Sequence, residues 1–140
     1  MRTLDEWFDL YGESHQNPVN KAIHVVCVPA IVFSILGMLW AASPYASYAL
    51  VVLGLLFYLR LSFKIAIATA LMLAPMLYGL QFLQNHFVTS VIIFVVAWIG
   101  QFIGHGIEGK KPSFLQDLQF LMIGPIWVLG FIMKKMGMSY

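Results

Sequence analysis

The sequence predicts an all-α membrane protein, a polytopic helical bundle with four transmembrane helices in a single domain over residues 1–140. Apolar residues make up 61% of the chain and charged residues only 10%, whereas typical soluble domains have about 25% charged residues. Segments 25–59 and 65–107 contain no formal charge at all. Because a membrane-spanning helix needs about 20 mostly apolar residues, the chain has room for four or five such segments and no second domain.

Residues 1–19 are expected to form a short interfacial helix followed by a break. Apolar side chains recur at helical spacing, with acidic residues largely on the other side, at Leu4, Trp7, Phe8 and Tyr11. This pattern is typical of a helix that lies at a membrane surface. Proline disfavours helical backbone in the residue before it and fits the first turn of the next helix, so Pro18 ends the break and Asn17 is the expected helix cap.

Residues 20–113 are expected to form the four membrane spans. Their predicted limits are about 20–42, 48–61, 65–82 and 88–105. The third span contains Pro75, which removes a backbone hydrogen bond and predicts a kink.

The distribution of basic residues predicts the orientation. Lysine and arginine occur in the N-terminal segment, in the turn at 60–64 and in the loop at 108–112, whereas the turns at 43–45 and 84–86 carry no charge. Since basic loops favour the cytoplasmic side, the N-terminus and all three basic segments are predicted to be cytoplasmic. The compact chain favours a bacterial inner membrane, with the endoplasmic reticulum as the eukaryotic equivalent.

A fifth apolar segment, at 114–133 within the final region 114–140, has two interpretations. A complete crossing would place Lys134 and Lys135 on the non-cytoplasmic side, against the charge rule. Gly124 and Pro125, in the middle of the segment, instead suggest a re-entrant or interfacial segment whose irregular backbone is buried against protein. The sequence weighs these interpretations about equally.

Three of the four histidines are predicted to gather at the cytoplasmic end of the bundle. His15 lies in the break before the first span, His24 one turn inside it, and His105 at the end of the fourth span, whereas His86 falls in an opposite turn. Ionisable groups at membrane depth are costly and often mark function, and neutral imidazole binds iron, zinc or copper. A single interfacial histidine is more often an ordinary hydrogen-bonded residue, but three at one end favour a metal site.

Polar neighbours of these histidines are candidates for completing or orienting that site. Glu108 follows His105 by three residues and would complete a set of two histidines and one carboxylate, a ligand set suited to ferrous iron and oxygen. Pairing with Lys110 or Lys111 is the slightly favoured alternative for Glu108.

Asn20 and Gln101 each lie four residues before a candidate histidine, so they share its helix face and could orient its ring. Lys21, together with Lys110 and Lys111, could hold an acidic headgroup, although membrane topology alone explains these lysines. The net charge of +2 without a dense basic patch makes nucleic acid an unlikely partner.

Two separated histidine motifs and a later Gly-Pro pair then suggest a family. They read Ser14-His15-x-x-x-x-Asn20-x-x-x-His24-x-x-x-x-Pro29, Gln101-Phe102-x-Gly104-His105-x-x-Glu108-Gly109-x-x-Pro112 and Gly124-Pro125. The chain resembles the Mpo1-like family over nearly its whole length. The resemblance implies an iron(II)-dependent dioxygenase that uses O2 to shorten 2-hydroxy fatty acids by one carbon in fatty acid α-oxidation. It makes His15, His24 and His105 the essential, iron-binding residues.

Two positions depart from the family pattern: Lys110-Lys111 stands where arginine is frequent, and Phe131 stands where many members have glutamate. Other functions stay open at this point. These are a non-catalytic lipid-binding or scaffolding bundle, a haem protein with His24 and His105 as axial ligands, and a zinc hydrolase. The sequence leaves the substrate chain length, the metal and the oligomeric state undetermined.

Overall fold

The computed structural model describes residues 3–13, 15–109 and 122–139, and within these ranges all regular secondary structure is helical. This confirms the predicted all-α fold. The six helices in these ranges are α1 (Leu4–Gly12), α2 (Pro18–Ala42), α3 (Pro44–Leu61), α4 (Phe63–Leu80), α5 (His86–Glu108) and α6 (Ile123–Lys135).

Helices α2 to α5 are each long and apolar enough to cross a membrane. Large apolar side chains such as Leu53, Leu71 and Val96 are exposed on their outer faces, as expected for surfaces that contact lipid rather than water. The prediction of four spans in a helical membrane bundle is therefore confirmed.

The span limits differ from the predicted ones by a few residues, chiefly because polar side chains cap the helices early. Helix α3 begins at Pro44, since the Ser43 side chain accepts a hydrogen bond from the backbone N–H of Tyr45. Helix α5 begins at His86, where the Asn85 side chain caps the first turn. Helix α4 continues through Pro75 as one helix.

Helices α2 and α5 pack closely through small residues. A β-carbon added at Gly37 would lie 2.0 Å from the Ser90 hydroxyl oxygen, and one at Gly100 would lie 2.6 Å from the Cys27 sulfur. In a membrane, where lipid is as apolar as the helix surface, such close backbone approach is a main source of helix association. The α2–α5 pair is therefore closely packed.

Helix α1 packs its apolar face onto the same end of the bundle that holds the N-terminus of α2. A capping box between Thr3 and Glu6 begins the helix, and Leu4, Phe8 and Tyr11 are its buried residues. The ring of Tyr11 lies 5.1 Å from that of Trp127 in α6.

Helix α6 forms the described part of the fifth apolar segment, and this helix does not cross the bundle. Its 13 residues give a length of about 20 Å, which is less than the ~30 Å hydrocarbon layer. It begins inside the bundle, where the Tyr58 hydroxyl donates to the Met122 carbonyl oxygen over 2.6 Å. It ends at the basic face, where Lys135 and Lys21 both lie near the ring of Phe131.

Because α5 also ends at this face, beside Asn17, residues 109 and 135 lie on one side of the bundle. The re-entrant and interfacial interpretations are therefore the ones that fit. Lys110 and Lys111 lie outside the described residues, so their predicted roles stay predictions.

Candidate metal centre

Three histidines from three different elements meet at the basic end of the bundle. His15 follows α1, His24 lies in the second turn of α2, and His105 lies in the last turn of α5. All three are buried, with exposed fractions of 3%, 0% and 5%. One ring nitrogen from each lies within 4.8 Å of the others. The structure thus brings together the three residues that the sequence selected.

Hydrogen bonds to backbone carbonyls fix the tautomers of two of these rings. The Nδ1–H of His15 donates to the Tyr11 carbonyl oxygen over 2.7 Å, and the Nδ1–H of His24 donates to the Asn20 carbonyl oxygen over 2.9 Å. Because a carbonyl oxygen only accepts, each Nδ1 holds the proton, and in the neutral ring Nε2 is left with a lone pair.

The two lone pairs point at each other. The Nε2 atoms of His15 and His24 are 2.9 Å apart, a distance at which two acceptors repel unless a positive charge lies between them. A shared proton or a metal ion would supply that charge, and neutral imidazole nitrogens held by a carbonyl on the opposite nitrogen are typical metal ligands. The donor set therefore fits a divalent transition metal ion.

Aromatic residues form one wall of the site. The ring of Tyr11 stacks on that of His15, with centroids 4.1 Å apart and planes within 1° of parallel. The centroid of the Trp127 ring lies 5.5 Å from that of the His15 ring. The sequence pattern predicted burial of Tyr11 on the apolar face of α1. It gave no signal for the contact with the His15 ring, because His15 lies beyond the end of α1.

Asn20 positions His24 through its backbone carbonyl and occupies a tight contact between α2 and α5. It is fully buried, and a β-carbon at Gly104 would lie 2.2 Å from its side-chain oxygen. Only hydrogen fits at Gly104, so the two helices approach closely at the level of the histidines. This places Asn20 where sequence analysis expected a residue that orients the ring.

Glu108 lies beside the histidines but faces the N-terminus of α2. Its carboxylate accepts a hydrogen bond from the backbone N–H of Asn17 and also interacts with the backbone of Gln16 and the side chain of Asn20. A carboxylate at a helix N-terminus satisfies free N–H groups and the helix dipole. The group of donor atoms found among the described residues consists of the three histidines, so Glu108 is placed as a tether between α5 and the His15 segment.

A polar cavity of about 560 Å³ opens beside His15. Lys21 and Lys134 line it together with Asp5, Asp9, Trp127 and Phe131. Phe131 also lines this cavity, and the ammonium groups of Lys21 and Lys135 lie 5.9 and 4.9 Å from its ring centroid. Gln101 is 5% exposed and lies one turn before His105 on α5.

His86 lies at the far end of α5, about 28 Å from His105 along the helix axis. Its Nε2 is 2.6 Å from the Leu80 carbonyl oxygen, and its ring stacks on that of Trp40. The structure therefore separates His86 from the site, as the predicted topology requires.

Comparison with known proteins agrees with this geometry. Residues 1–136 match the family model described as 2-hydroxy-palmitic acid dioxygenase Mpo1-like. The chain belongs to the Mpo1-like family. A curated relative of this Mpo1-like protein is the 2-hydroxy-palmitic acid dioxygenase MPO1 of Saccharomyces cerevisiae, which is 31% identical over 137 residues, covering 91% of this chain and 78% of the yeast protein. No solved structure matches the chain.

Proposed function

We propose that this Mpo1-like protein is an iron(II)-dependent dioxygenase that removes one carbon from long-chain 2-hydroxy fatty acids at the cytoplasmic surface of the membrane. The single observation that supports it most is the convergence of His15, His24 and His105 at the basic end of an apolar bundle. Family membership and the name of the yeast relative supply the substrate class.

The three imidazoles would hold the metal through one nitrogen each. When bound, ferrous iron would supply open ligand positions for the substrate oxygens and the redox chemistry that makes O2 reactive. Tyr11 and Asn20 keep the Nδ1 proton on His15 and His24, so that both Nε2 atoms remain available as ligands. Tyr11 and Trp127 cover the His15 ring and limit the access of water.

The reaction class favours iron over zinc. A dioxygenase needs a redox-active metal, and zinc has no redox chemistry. The dioxygenase names of the family model and of the yeast relative therefore support iron in preference to the zinc of a hydrolase.

The same packing opposes a bis-histidine haem. Two axial ligands would lie on opposite faces of a haem, with the porphyrin between them. The ring centroids of His24 and His105 are 5.3 Å apart, and the His15 ring lies closer to the His24 ring than the His105 ring does. The His15 ring occupies the space that a porphyrin between the axial ligands would need.

Lys21 would attract the substrate carboxylate, and its position in the lining of the polar cavity beside His15 supports this role. The acyl tail would remain in the apolar part of the bundle. In the overall reaction the bond between C1 and C2 breaks, C2 becomes the new carboxyl group, and C1 leaves as carbon dioxide. The four electrons released reduce O2, of which one oxygen atom enters the new carboxyl group and the other leaves in water.

The test uses the purified full chain loaded anaerobically with ferrous iron and given 2-hydroxypalmitic acid. Admission of O2 should yield the acid that is one carbon shorter, detected by mass spectrometry, with one O2 consumed per acid. His24→Ala should abolish turnover and lower bound iron, whereas His86→Ala, which removes a distant histidine, should preserve both. Full activity in His24→Ala would refute the assignment. Unchanged lipid binding with no turnover in any metal-loaded sample would instead favour a non-catalytic lipid-binding bundle.

A further inference from the structure

A second cavity, of about 220 Å³ and almost wholly apolar, lies deeper in the bundle between α2, α3 and α4. Its lining residues include Val32, Leu36, Val51, Gly54, Met72 and Pro125. An apolar cavity of ~150 Å³ is large enough to stay dry and hold benzene. This cavity therefore has room for a slender apolar ligand. The hydroxyl groups of its polar lining residues, Tyr58 and Thr69, donate to the backbone carbonyls of Met122 and Ile65.

The cavity is aligned with the histidines along α2. Val28 and Val32 follow His24 at intervals of four residues, so the three side chains share one helix face. The lining residues Val32 and Leu36 lie about 12 and 18 Å from His24 along the axis. One leaflet of acyl tails occupies about half of the ~30 Å hydrocarbon layer, so the cavity lies at the depth that a tail would reach from a headgroup at the histidines.

The first turn of α6 lies between the cavity and the site and contacts both. A β-carbon at Gly124 would lie 3.1 Å from the Tyr11 hydroxyl oxygen and 3.4 Å from Val28, and the neighbouring Pro125 lines the cavity. Tyr58 also lines the cavity, and its hydroxyl anchors this end of α6 through the Met122 carbonyl oxygen. Tyr11 in turn stacks on His15, so one set of contacts joins the cavity to the candidate metal centre.

We propose that this cavity receives the acyl tail of the 2-hydroxy acid and sets the chain length that the protein accepts. The inference rests on the proposed function for the identity of the headgroup. Because the bilayer is as apolar as the cavity, the tail gains little hydrophobic free energy by entering. Selection between long and short acids must then come from the shape of the cavity. A larger side chain in the cavity would therefore exclude long acyl tails, while short acyl tails would still fit.

Gly54 offers a direct way to fill the cavity. A β-carbon there would meet no atom within 4 Å, and leucine is a better helix former than glycine. Gly54→Leu should therefore fold and occupy the space, and Val51→Phe provides a second variant that enlarges a lining side chain. Gly79→Leu is the matched control, because Gly79 also has open space at its β-carbon position but does not line the cavity.

The activity test compares 2-hydroxy acids of 8 and 16 carbons in wild type and variants. We expect Gly54→Leu and Val51→Phe to lower the ratio of kcat/KM for the long acid to that for the short acid by about tenfold, equivalent to about 1.4 kcal/mol and within the range that overpacking costs. Gly79→Leu should leave the ratio unchanged. Equal ratios in all four proteins would overturn the inference.

A binding test separates this inference from the proposed reaction. A 2-hydroxypalmitic acid with a diazirine at its terminal carbon should label Val51, Met72 or their neighbours, with labelling reduced in Gly54→Leu. Labelling on the lipid-facing groove at Val19, Cys27 and Ile103, or scattered over outward-facing residues, would overturn the inference even if turnover is normal. Cavity labelling in a protein that turns over no 2-hydroxy acid would support the tail site and reject the reaction.

Discussion

Replacing Gly104 with alanine tests whether the α2–α5 contact sets the geometry of the histidines. The added β-carbon would lie 2.2 Å from the Asn20 side-chain oxygen and 3.4 Å from Cε1 of His24. Restoring ordinary contact requires Asn20 or the helix to move by about 1 Å, and overpacking of this kind costs about 1–3 kcal/mol. The better helix propensity of alanine offsets about 1 kcal/mol of that cost.

Gly106→Ala is the matched control, because the same methyl group on the same helix would meet no atom within 4 Å. This variant should keep the roughly 1 kcal/mol gain in helix propensity. We therefore expect the apparent Tm of Gly104→Ala to lie about 3–15 °C below that of Gly106→Ala, using roughly 3–5 °C per kcal/mol for a chain of this size.

The same pair of variants should differ in metal binding. Asn20 accepts the Nδ1–H of His24 through its carbonyl oxygen, and loss of such an orienting partner typically costs 10–100-fold in metal affinity. Thermal unfolding in detergent micelles and iron titration of each variant provide the assays. Equal Tm and equal iron affinity in Gly104→Ala and Gly106→Ala would show that the α2–α5 contact does not set the geometry of the histidines.

Three further substitutions separate the roles assigned to polar residues. Glu108→Ala should lower the free energy of unfolding by about 1–2 kcal/mol through loss of a helix-terminal acceptor, and it should weaken iron binding by loosening His15. Glu108→Gln should retain part of the stability and part of the iron affinity. Equal iron affinity in the wild type and both variants, measured by titration, would contradict the role of Glu108 as a tether. Lys21→Ala should raise the KM for 2-hydroxy acids by about two- to fivefold, the range expected for an exposed ion pair, with little change in kcat. A change in kcat alone in steady-state assays would argue against attraction of the carboxylate by Lys21. His86→Ala should lower the free energy of unfolding by about 1 kcal/mol through loss of its hydrogen bond to the Leu80 carbonyl, while the iron content stays the same. A loss of iron, measured by elemental analysis, would contradict the separation of His86 from the site.

Much of the fold was predictable because the membrane imposes simple rules on composition. Long charge-free segments predict spans, and basic turns predict which ends lie together, so the sequence alone assigns His15, His24 and His105 to one face. Helix limits were less predictable. The caps formed by Ser43 and Asn85 extend α3 and α5 toward the turns, and a cap depends on side-chain geometry rather than hydropathy.

Details of the site depend on tertiary contacts that periodicity does not encode. The face of α1 that bears Tyr11 predicts burial, but not that its ring stacks on His15. The spacing of His105 and Glu108 predicts a shared helix face, but not that the carboxylate turns to the N-terminus of α2. The return of α6 to the basic face likewise depends on its contacts with Tyr58 and Lys21.

The proposed reaction requires one iron ion held between His15, His24 and His105. X-ray absorption spectroscopy of the protein reconstituted with ferrous iron measures this ligand set. We expect about three imidazole nitrogens per iron, with the histidine signal reduced in His24→Ala and unchanged in His86→Ala. An iron spectrum without imidazole ligands, or the same spectrum in wild type and His24→Ala, would contradict this ligand set.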